Sequence, residues 1–254
     1  LSALGLEEHI DTLTLDSVIK EYENMIKNDK ITVSIVGDVN VENIVAIINK
    51  HLPFENRSKK IDLFEQNNKE ITTVKEEIIV QDVQQAKLAM GYRFDVRYLD
   101  DDYYPAIVFN SLLGSSSDSL LHMRIREELG LVYFINSSYD FYKGVLFIFS
   151  GIDASKYEIV QEEIVKIITN IELGKIDLKF LEIAKLSLIN SIIESHDSIG
   201  TQAVRLERQD FCNNEITKEK SIEFIQAVTL EDIKKVASKV SLDTKVLLRG
   251  ENNE

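Results

Sequence analysis

The 254-residue sequence contains very little cysteine, proline or glycine. It has one cysteine, Cys212, two prolines and ten glycines. A single cysteine excludes an intrachain disulfide and a cysteine-cluster metal site. It also fits a reducing compartment, so we expect a cytoplasmic protein. The scarcity of proline and glycine argues against long flexible linkers, since these residues are typical of such segments.

The charge is predominantly of one sign, with 43 acidic and 29 basic residues and a formal net charge of −14. The negative electrostatic potential of such a chain repels phosphate backbones and anionic lipid surfaces, so we expect no nucleic-acid partner. No apolar run approaches the roughly 20 residues that a membrane-spanning helix needs, so we predict no span. The first residue is Leu1 rather than Met, which suggests a fragment, a processed product or a trimmed chain.

Hydrophobic periodicity predicts strands, helices, strands and then a run of helices. Segments rich in β-branched and aromatic residues predict the strands, and apolar stripes at helical spacing predict the helices of the last third. This order indicates an α+β fold with a mainly antiparallel sheet and helices packed on one face. The predicted strands are residues 31–36, 76–80, 86–94, 133–141, 145–151 and 245–249.

The two ends of the chain resemble each other at an offset of about 215 residues. Residues 14–18 and 229–233 each place a threonine cap before a predicted helix, and each helix leads into a β run that ends at a glycine and an acid. An echo at that spacing indicates duplication of a whole domain. We therefore predict that residues 1–54 are the tail of a first domain, 55–70 a linker, and 71–254 a second, complete domain.

Three segments of the sequence form a recognisable set. Residues 124–133 read Arg-Ile-Arg-Glu-Glu-Leu-Gly-Leu-Val-Tyr, residues 110–115 read Asn-Ser-Leu-Leu-Gly-Ser, and residues 31–39 read Ile-Thr-Val-Ser-Ile-Val-Gly-Asp-Val. They resemble, in that order, the helix-to-strand segment, the helix and glycine loop, and the strand closing the preceding domain of the insulinase/pitrilysin zinc peptidases, which include the mitochondrial processing peptidase subunits. The closest resemblance is to a bacterial, Firmicute-type subunit that lacks the metal motif and works beside a zinc-binding partner.

The resemblance implies that an active chain holds zinc in its first domain through H-x-x-E-H and a downstream Glu. This sequence departs from that pattern, because no two of its histidines (His9, His51, His122 and His196) lie four residues apart. We therefore expect no metal site and no cofactor in this chain. Zinc is expected in a partner subunit or an upstream domain, and whether the chain is part of an enzyme stays open.

The family's second domain supplies an arginine and a tyrosine, seven positions apart, to the zinc site of the first. Arg126 and Tyr133 match that spacing, so the resemblance implies that they stabilise the tetrahedral intermediate in trans. Arg124 is the alternative arginine. Ordinary structural roles also remain open, since Arg126 suits a helix C-terminus and Tyr133 suits a half-buried strand.

Three functions follow from the resemblance. The first is a non-catalytic subunit of a metallopeptidase dimer that forms a peptide-binding chamber and lends Arg126 and Tyr133 to the partner. The second is the C-terminal part of an active zinc endopeptidase whose H-x-x-E-H lies upstream. The third is a structural or assembly protein of the same fold, against which the Arg126/Tyr133 pair argues.

Overall fold

The computed structural model describes residues 5–52, 71–98 and 100–251. The chain divides into two compact units. The first unit comprises Leu1–Asp62 and Ile199–Asn214, and the second comprises Leu63–Ser198 and Glu215–Glu254. The predicted linker 55–70 lies outside the described residues, and the predicted domain boundaries stay a prediction.

The first unit is helical where the structure describes it. Its helices are α1 (Glu7–Ile10), α2 (Leu15–Asn28), α3 (Val41–His51) and α7 (Ile199–Cys212). The predicted Thr14 cap is confirmed, because the Thr14 hydroxyl accepts a hydrogen bond from the Ser17 N–H at 3.2 Å and the Ser17 hydroxyl accepts one from the Thr14 N–H at 3.1 Å. This reciprocal pairing satisfies two backbone donors that the first turn leaves without partners.

The predicted strand at residues 31–36 is wrong for this structure, which has no regular secondary structure there. A strand requires a neighbouring chain to take its ladder hydrogen bonds, and no described residue pairs with this run. Ile31, Val33 and Ile35 are 40%, 48% and 41% exposed. The β-forming residues are therefore present without the partner that would make them a strand.

The second unit is built on a five-stranded sheet with the order β1-β5-β2-β4-β3. Only the β1/β5 pair is parallel, and the other three pairs are antiparallel. The predicted α+β fold with a mainly antiparallel sheet is confirmed. The strands are β1 (Lys75–Val80), β2 (Ala86–Phe94), β3 (Val132–Asp140), β4 (Val145–Ile152) and β5 (Val240–Arg249).

One face of the sheet carries the hydrophobic core. Along β2 the side chains alternate, so that Leu88, Met90 and Phe94 are sealed from solvent at no more than 1% exposed. Each such side chain stabilises the fold by about 1.5–3 kcal/mol through burial. The helices of this unit are α4 (Tyr103–Asn110), α5 (Tyr157–Glu172), α6 (Leu178–His196), α8 (Lys218–Ala227) and α9 (Leu230–Ala237).

An ion-pair cluster fixes α4 to the segment at the end of α9. The Asp102 carboxylate, only 13% exposed, accepts hydrogen bonds from Lys235 and Lys239 at 2.8 Å each. Burial opposes ionisation of Asp102, but the hydrogen bonds from the two lysines outweigh it and lower its pKa below the ordinary value.

The opposite face of the sheet is called here the open face. The strand register places Phe147 and Phe149 of β4 on it, opposite Gly91 and Ala89 of β2. The two phenyl rings stack with centroids 5.9 Å apart and remain 38% and 41% exposed. Phe134 of β3 adds a third ring, 42% exposed. Since one side of each strand faces the core, this exposed aromatic surface lies on the other side.

Two segments wound as π-helix follow α4, at Ser111–Ser115 and His122–Glu128. π-Helical winding is rare in proteins as a whole, but where it occurs it is often at a functional site. Gly114, in the first segment, comes so close to β3 that a Cβ there would lie 2.8 Å from the Ser137 Oγ and 2.9 Å from the Ser137 backbone nitrogen. The glycine therefore permits a close approach to the edge strand.

Candidate functional site

The segment that carries Arg126 and Tyr133 is a π-wound helix that turns into an edge strand. Gly130 ends the helix with a φ of +58°, a conformation that favours glycine. The Gly130 N–H donates to the Arg126 carbonyl at 3.2 Å, and the Leu131 N–H donates to the Ile125 carbonyl at 3.0 Å. These bonds fix the turn between the helix and β3.

Arg126 lies on the last turn of this helix with a half-exposed side chain, at 46%. Its Nη1 lies 2.8 Å from the Nε2 of His122, and its Nε lies 3.8 Å from a Glu127 carboxylate oxygen. Because an arginine only donates, Nε2 of His122 must be the acceptor, and the proton of the neutral ring is on Nδ1. His122, which is only 15% exposed, therefore anchors one edge of the guanidinium.

Arg124 is held differently. Its Nη1 donates to the Glu128 carboxylate at 2.7 Å, and its Nε donates to Glu163 of α5 at 3.5 Å. The hydrogen bond with Glu128, followed by the one with Glu163, raises the pKa of Arg124. Two carboxylates thus engage the alternative arginine, whereas Arg126 pairs with a neutral imidazole and with one carboxylate at a long distance.

Tyr133 is the extra residue of a β-bulge near the start of β3. Val132 pairs with Ile152 and Phe134 pairs with Gly151, so Tyr133 has no partner across the ladder. A bulge of this kind redirects side chains at a sheet edge. The Tyr133 side chain is 63% exposed, and its hydroxyl makes no hydrogen bond to any residue in the described part of the chain.

A small cavity of about 340 Å³ lies beside Tyr133. Its polar lining includes the amides of Gln84 and Gln85 and the carboxylate of Asp153. The Asp153 side chain accepts hydrogen bonds from the Ser155 hydroxyl and the Ser155 N–H, which lower its pKa. The cavity therefore combines a free phenol, two amides and an ionised carboxylate.

Arg126 and Tyr133 are both accessible to solvent, and no hydrogen bond joins them within the described residues. A guanidinium and a phenol presented in this way are donors suited to an oxygen that gains negative charge. Neither group supplies a nucleophile or a metal. The arrangement can therefore assist a reaction whose metal and water come from elsewhere.

No group of three or more His, Cys, Asp or Glu side chains that could hold a metal ion occurs within residues 5–52, 71–98 and 100–251. His122 is engaged by Arg126, and the Nδ1 of His196 lies 2.9 Å from the Ile192 carbonyl of its own helix. Across the same described ranges, no helix has the length and apolar character needed to cross a membrane.

Sequence reasoning missed three residues of this region. His122 was considered only as a metal ligand, although its position four residues before Arg126 on a helix is a signal that the two side chains meet. Gln84 and Gln85 lie in the turn between β1 and β2. No local pattern connects that turn to Tyr133, about 50 residues later in the sequence, because the pairing of β2 with β4 brings them together.

Comparisons with known proteins agree on one family. A family model described as "Peptidase M16 inactive domain" matches residues 12–188. The chain is 30% identical over 247 residues to the probable inactive metalloprotease YmfF of Bacillus subtilis, covering 97% of this chain and 58% of that protein. It is 25% identical over 239 residues to the uncharacterized zinc protease YmxG of the same organism, covering 92% and 57%.

The fold also matches a solved structure. The crystal structure of a conserved protein from Enterococcus faecalis V583 superposes with a TM-score of 0.89 at 29% identity, covering 98% of this chain and 59% of that one. The chain therefore spans less than three fifths of the length of each of these three relatives.

Proposed function

The chain belongs to the Peptidase M16 inactive domain family, and from this premise we propose that it helps to form a peptide-binding chamber together with a zinc-bearing peptidase domain. Membership confirms the resemblance to the insulinase/pitrilysin peptidases and makes this an inactive peptidase-like domain. The proposal adds the chamber, the partner and a role for Arg126 and Tyr133.

The open face of the sheet is the observation that carries the proposal. Phe134, Phe147 and Phe149 present three partly exposed rings beside one another, and the register places Ala89 and Gly91 between them and β5. Exposed contiguous apolar surface marks interaction sites on proteins. Small residues beside aromatic rings leave room on a sheet face for an extended peptide. The side chains of such a peptide point alternately to its two sides, as those of a strand do.

Tyr133 lies near the start of the edge strand β3, and Arg126 lies on the helix that leads into that strand. Peptide hydrolysis at a zinc ion builds negative charge on the carbonyl oxygen, and donors from a second domain stabilise that charge if they reach it. The half-exposed guanidinium held by His122 and the exposed phenol on the bulge are the groups available for this role. Arg124 is a poorer candidate, because two carboxylates already engage it.

The exposed helices of residues 1–54 support the domain division proposed from the sequence. In the described helices α1, α2 and α3 no residue is buried. On the apolar stripe of α2, Leu15, Val18 and Tyr22 are 52–75% exposed. Such surface requires a covering partner, and we propose that residues 1–54 complete a first peptidase-like domain.

Hydrogen exchange tests this division. The amides of α2 are expected to exchange more slowly in the full-length protein than in the 254-residue chain alone, because a covering surface protects the helix there. Equal exchange rates in the two proteins would contradict the division.

The catalytic proposal is tested by mixing the full-length protein with a zinc-binding M16 partner and following cleavage of a fluorogenic peptide. Arg126→Ala and Tyr133→Phe are each expected to lower kcat by on the order of 100-fold with little change in KM, because the donors act on the transition state. Arg124→Ala is the matched control and should retain activity. Full activity of both Arg126 and Tyr133 variants would refute the role.

An alternative is that the whole protein is itself an active zinc peptidase with H-x-x-E-H in a preceding domain. The relative named as a zinc protease, at 25% identity, is the observation that favours it. The full-length protein assayed alone discriminates the two: cleavage that zinc chelation abolishes supports the alternative, and cleavage only after the partner is added supports the helper role.

A further inference from the structure

The second unit contains a cleft on the open face at the end opposite Tyr133. It has a volume of about 630 Å³ and lies between the β3–β4 turn, the end of β2 and the start of β5. Its floor is apolar, formed by Gly91, Val145 and Phe147 with Ile71 at the edge. The cleft is therefore almost twice as large as the cavity beside Tyr133.

The charge of the cleft is opposite to that of the chain. Four cationic side chains line it together with only two carboxylates, in a protein whose formal net charge is −14. A concave surface lined by cations in an otherwise anionic protein creates a local positive potential that attracts an anionic ligand. The cations are Arg93, Arg97, Lys143 and Lys239, and the carboxylates are Asp95 and Asp243.

Two of the four cations are firmly compensated. Arg93 donates to Asp243 at 2.7 Å, and Lys239 donates to Asp102 at 2.8 Å. Hydrogen bonds from the Thr244 hydroxyl and then from Arg93 lower the pKa of Asp243, which keeps that carboxylate ionised beside its arginine. These pairs shape the cleft, and they are not the groups that an incoming anion would engage first.

Arg97 and Lys143 are the weakly compensated pair. The Arg97 side chain is only 18% exposed, and its Nη1 donates at 2.9 Å to Asp95, which is 83% exposed. Its Nε is buried and has no hydrogen-bond partner in the described part of the chain. Lys143, 75% exposed, lies 3.7 Å from the nearest Asp140 carboxylate oxygen. A largely buried guanidinium whose carboxylate partner is in solvent lacks most of the compensation that burial requires.

Arg97 is positioned by its neighbours. Its backbone N–H donates to the Asp100 carboxylate at 2.7 Å, and its guanidinium lies beside Gly144 of the β3–β4 turn. A planar guanidinium recognises a carboxylate with geometric specificity, and the ammonium of Lys143 adds a second charge at the rim.

We propose that this cleft binds an acidic side chain of an extended peptide, with an adjacent apolar residue on the Phe147 floor. A phosphate polymer is disfavoured, because the rest of the chain repels it. Gly151, which lies beneath Phe134, and Val145 are six residues apart along β4, a distance of roughly 20 Å. The acid is therefore expected about six residues from the peptide bond held near Tyr133. The choice of a peptide as ligand rests on the proposed function.

The test is fluorescence anisotropy of labelled octapeptides with the full-length protein, without a partner. A peptide with a Glu-Phe pair is expected to bind about tenfold tighter than its Gln-Phe counterpart, equivalent to about 1.4 kcal/mol. Arg97→Met should abolish that difference, and added salt should reduce it. Lys166→Ala, another exposed lysine three residues from its acidic partner, is the matched control and should change nothing.

Lys143→Glu keeps the inference testable if Arg97→Met does not fold, because Lys143 is largely exposed. This variant should weaken the binding of the Glu-Phe peptide and strengthen the binding of a Lys-Phe counterpart. Equal binding of the Glu and Gln peptides, or no binding of either, would overturn the inference. Arg126→Ala is expected to leave this binding unchanged while lowering partner-dependent hydrolysis. The binding assay therefore tests the cleft, and the hydrolysis assay tests the proposed function, so the two can fail separately.

Discussion

Gly114→Ala is expected to destabilise the second unit even though alanine is the better helix former. An added Cβ would lie 2.8 Å from the Leu121 Cδ1 and the Ser137 Oγ and 2.9 Å from the Ser137 backbone nitrogen. Leu121 is fully buried and the nitrogen belongs to β3, so neither can easily move aside. The edge strand and the π-wound segment must separate.

The magnitude follows from two opposing effects. Overpacking a core costs about 1–3 kcal/mol, and replacing glycine by alanine in a helix stabilises by roughly 0.5–1 kcal/mol. The difference spans about 0–2.5 kcal/mol, and we expect its upper part, about 1–2.5 kcal/mol, because the close contacts include a backbone nitrogen. This corresponds to a decrease in Tm of about 2–10 °C for a unit of this size. Gly151→Ala is the control, since its Cβ meets the Phe134 ring and the Gln85 side chain, both of which can rotate away.

Urea denaturation followed by tyrosine fluorescence measures the effect. The protein has no tryptophan, and eight of its nine tyrosines lie in the second unit, so the signal reports that unit. Gly151→Ala should cost less than about 1 kcal/mol, because only mobile side chains must move. A Gly114→Ala protein as stable as the wild type would refute the close-packing explanation.

Three further predictions concern single side chains and one turn. Asp102→Asn should destabilise by about 1–2 kcal/mol at pH 7, because it removes the negative charge and replaces one of the two oxygens that accept hydrogen bonds from Lys235 and Lys239 by an NH2 group, which cannot accept. The pKa of Asp102 is depressed in the folded state, so its contribution is present above the ordinary aspartate pKa and is lost as the pH falls through the lower folded pKa. The wild-type and variant stabilities from urea titrations should therefore converge in strong acid, and a constant difference would contradict this. His122→Leu should lower partner-dependent peptide hydrolysis several-fold by releasing Arg126, and His122→Gln, which retains an acceptor, should restore part of it. Equal rates for the two variants would count against anchoring. Gly130→Ala should cost about 1–2 kcal/mol through its positive φ alone, since nothing lies within 4 Å of the added Cβ, and thermal unfolding measures it.

Local chemistry made several elements predictable from the sequence. The caps at Thr14 and Thr229 depend on side chains within three residues of each helix start, so the helices α2 and α9 were expected in their observed places. The strands predicted at 133–141 and 145–151 correspond to β3 and β4, and Gly144 has the positive φ, +63°, that the turn between them requires. These features are decided by neighbours in the sequence.

Other features depend on distant parts of the chain. Residues 31–36 have the composition of a strand, but a strand also needs a partner that composition does not supply. The pairing of β4 with β3 creates the bulge at Tyr133, and the packing of Gly114 on Ser137 accompanies the π winding. Helical spacing alone could have predicted the contact between Arg126 and His122. The cleft around Arg97 could not be predicted in this way, because it forms only in the complete sheet.

The strand order has a consequence for synthesis. Strand β5, the last of the described strands to leave the ribosome, lies between β1 and β2, which are made about 150–170 residues earlier. Until it emerges, β1 has no described neighbour and one edge of β2 is open, so a nascent or prematurely terminated chain exposes apolar strand edges to chaperones and proteases. Quality control would then discard a chain truncated before Val240.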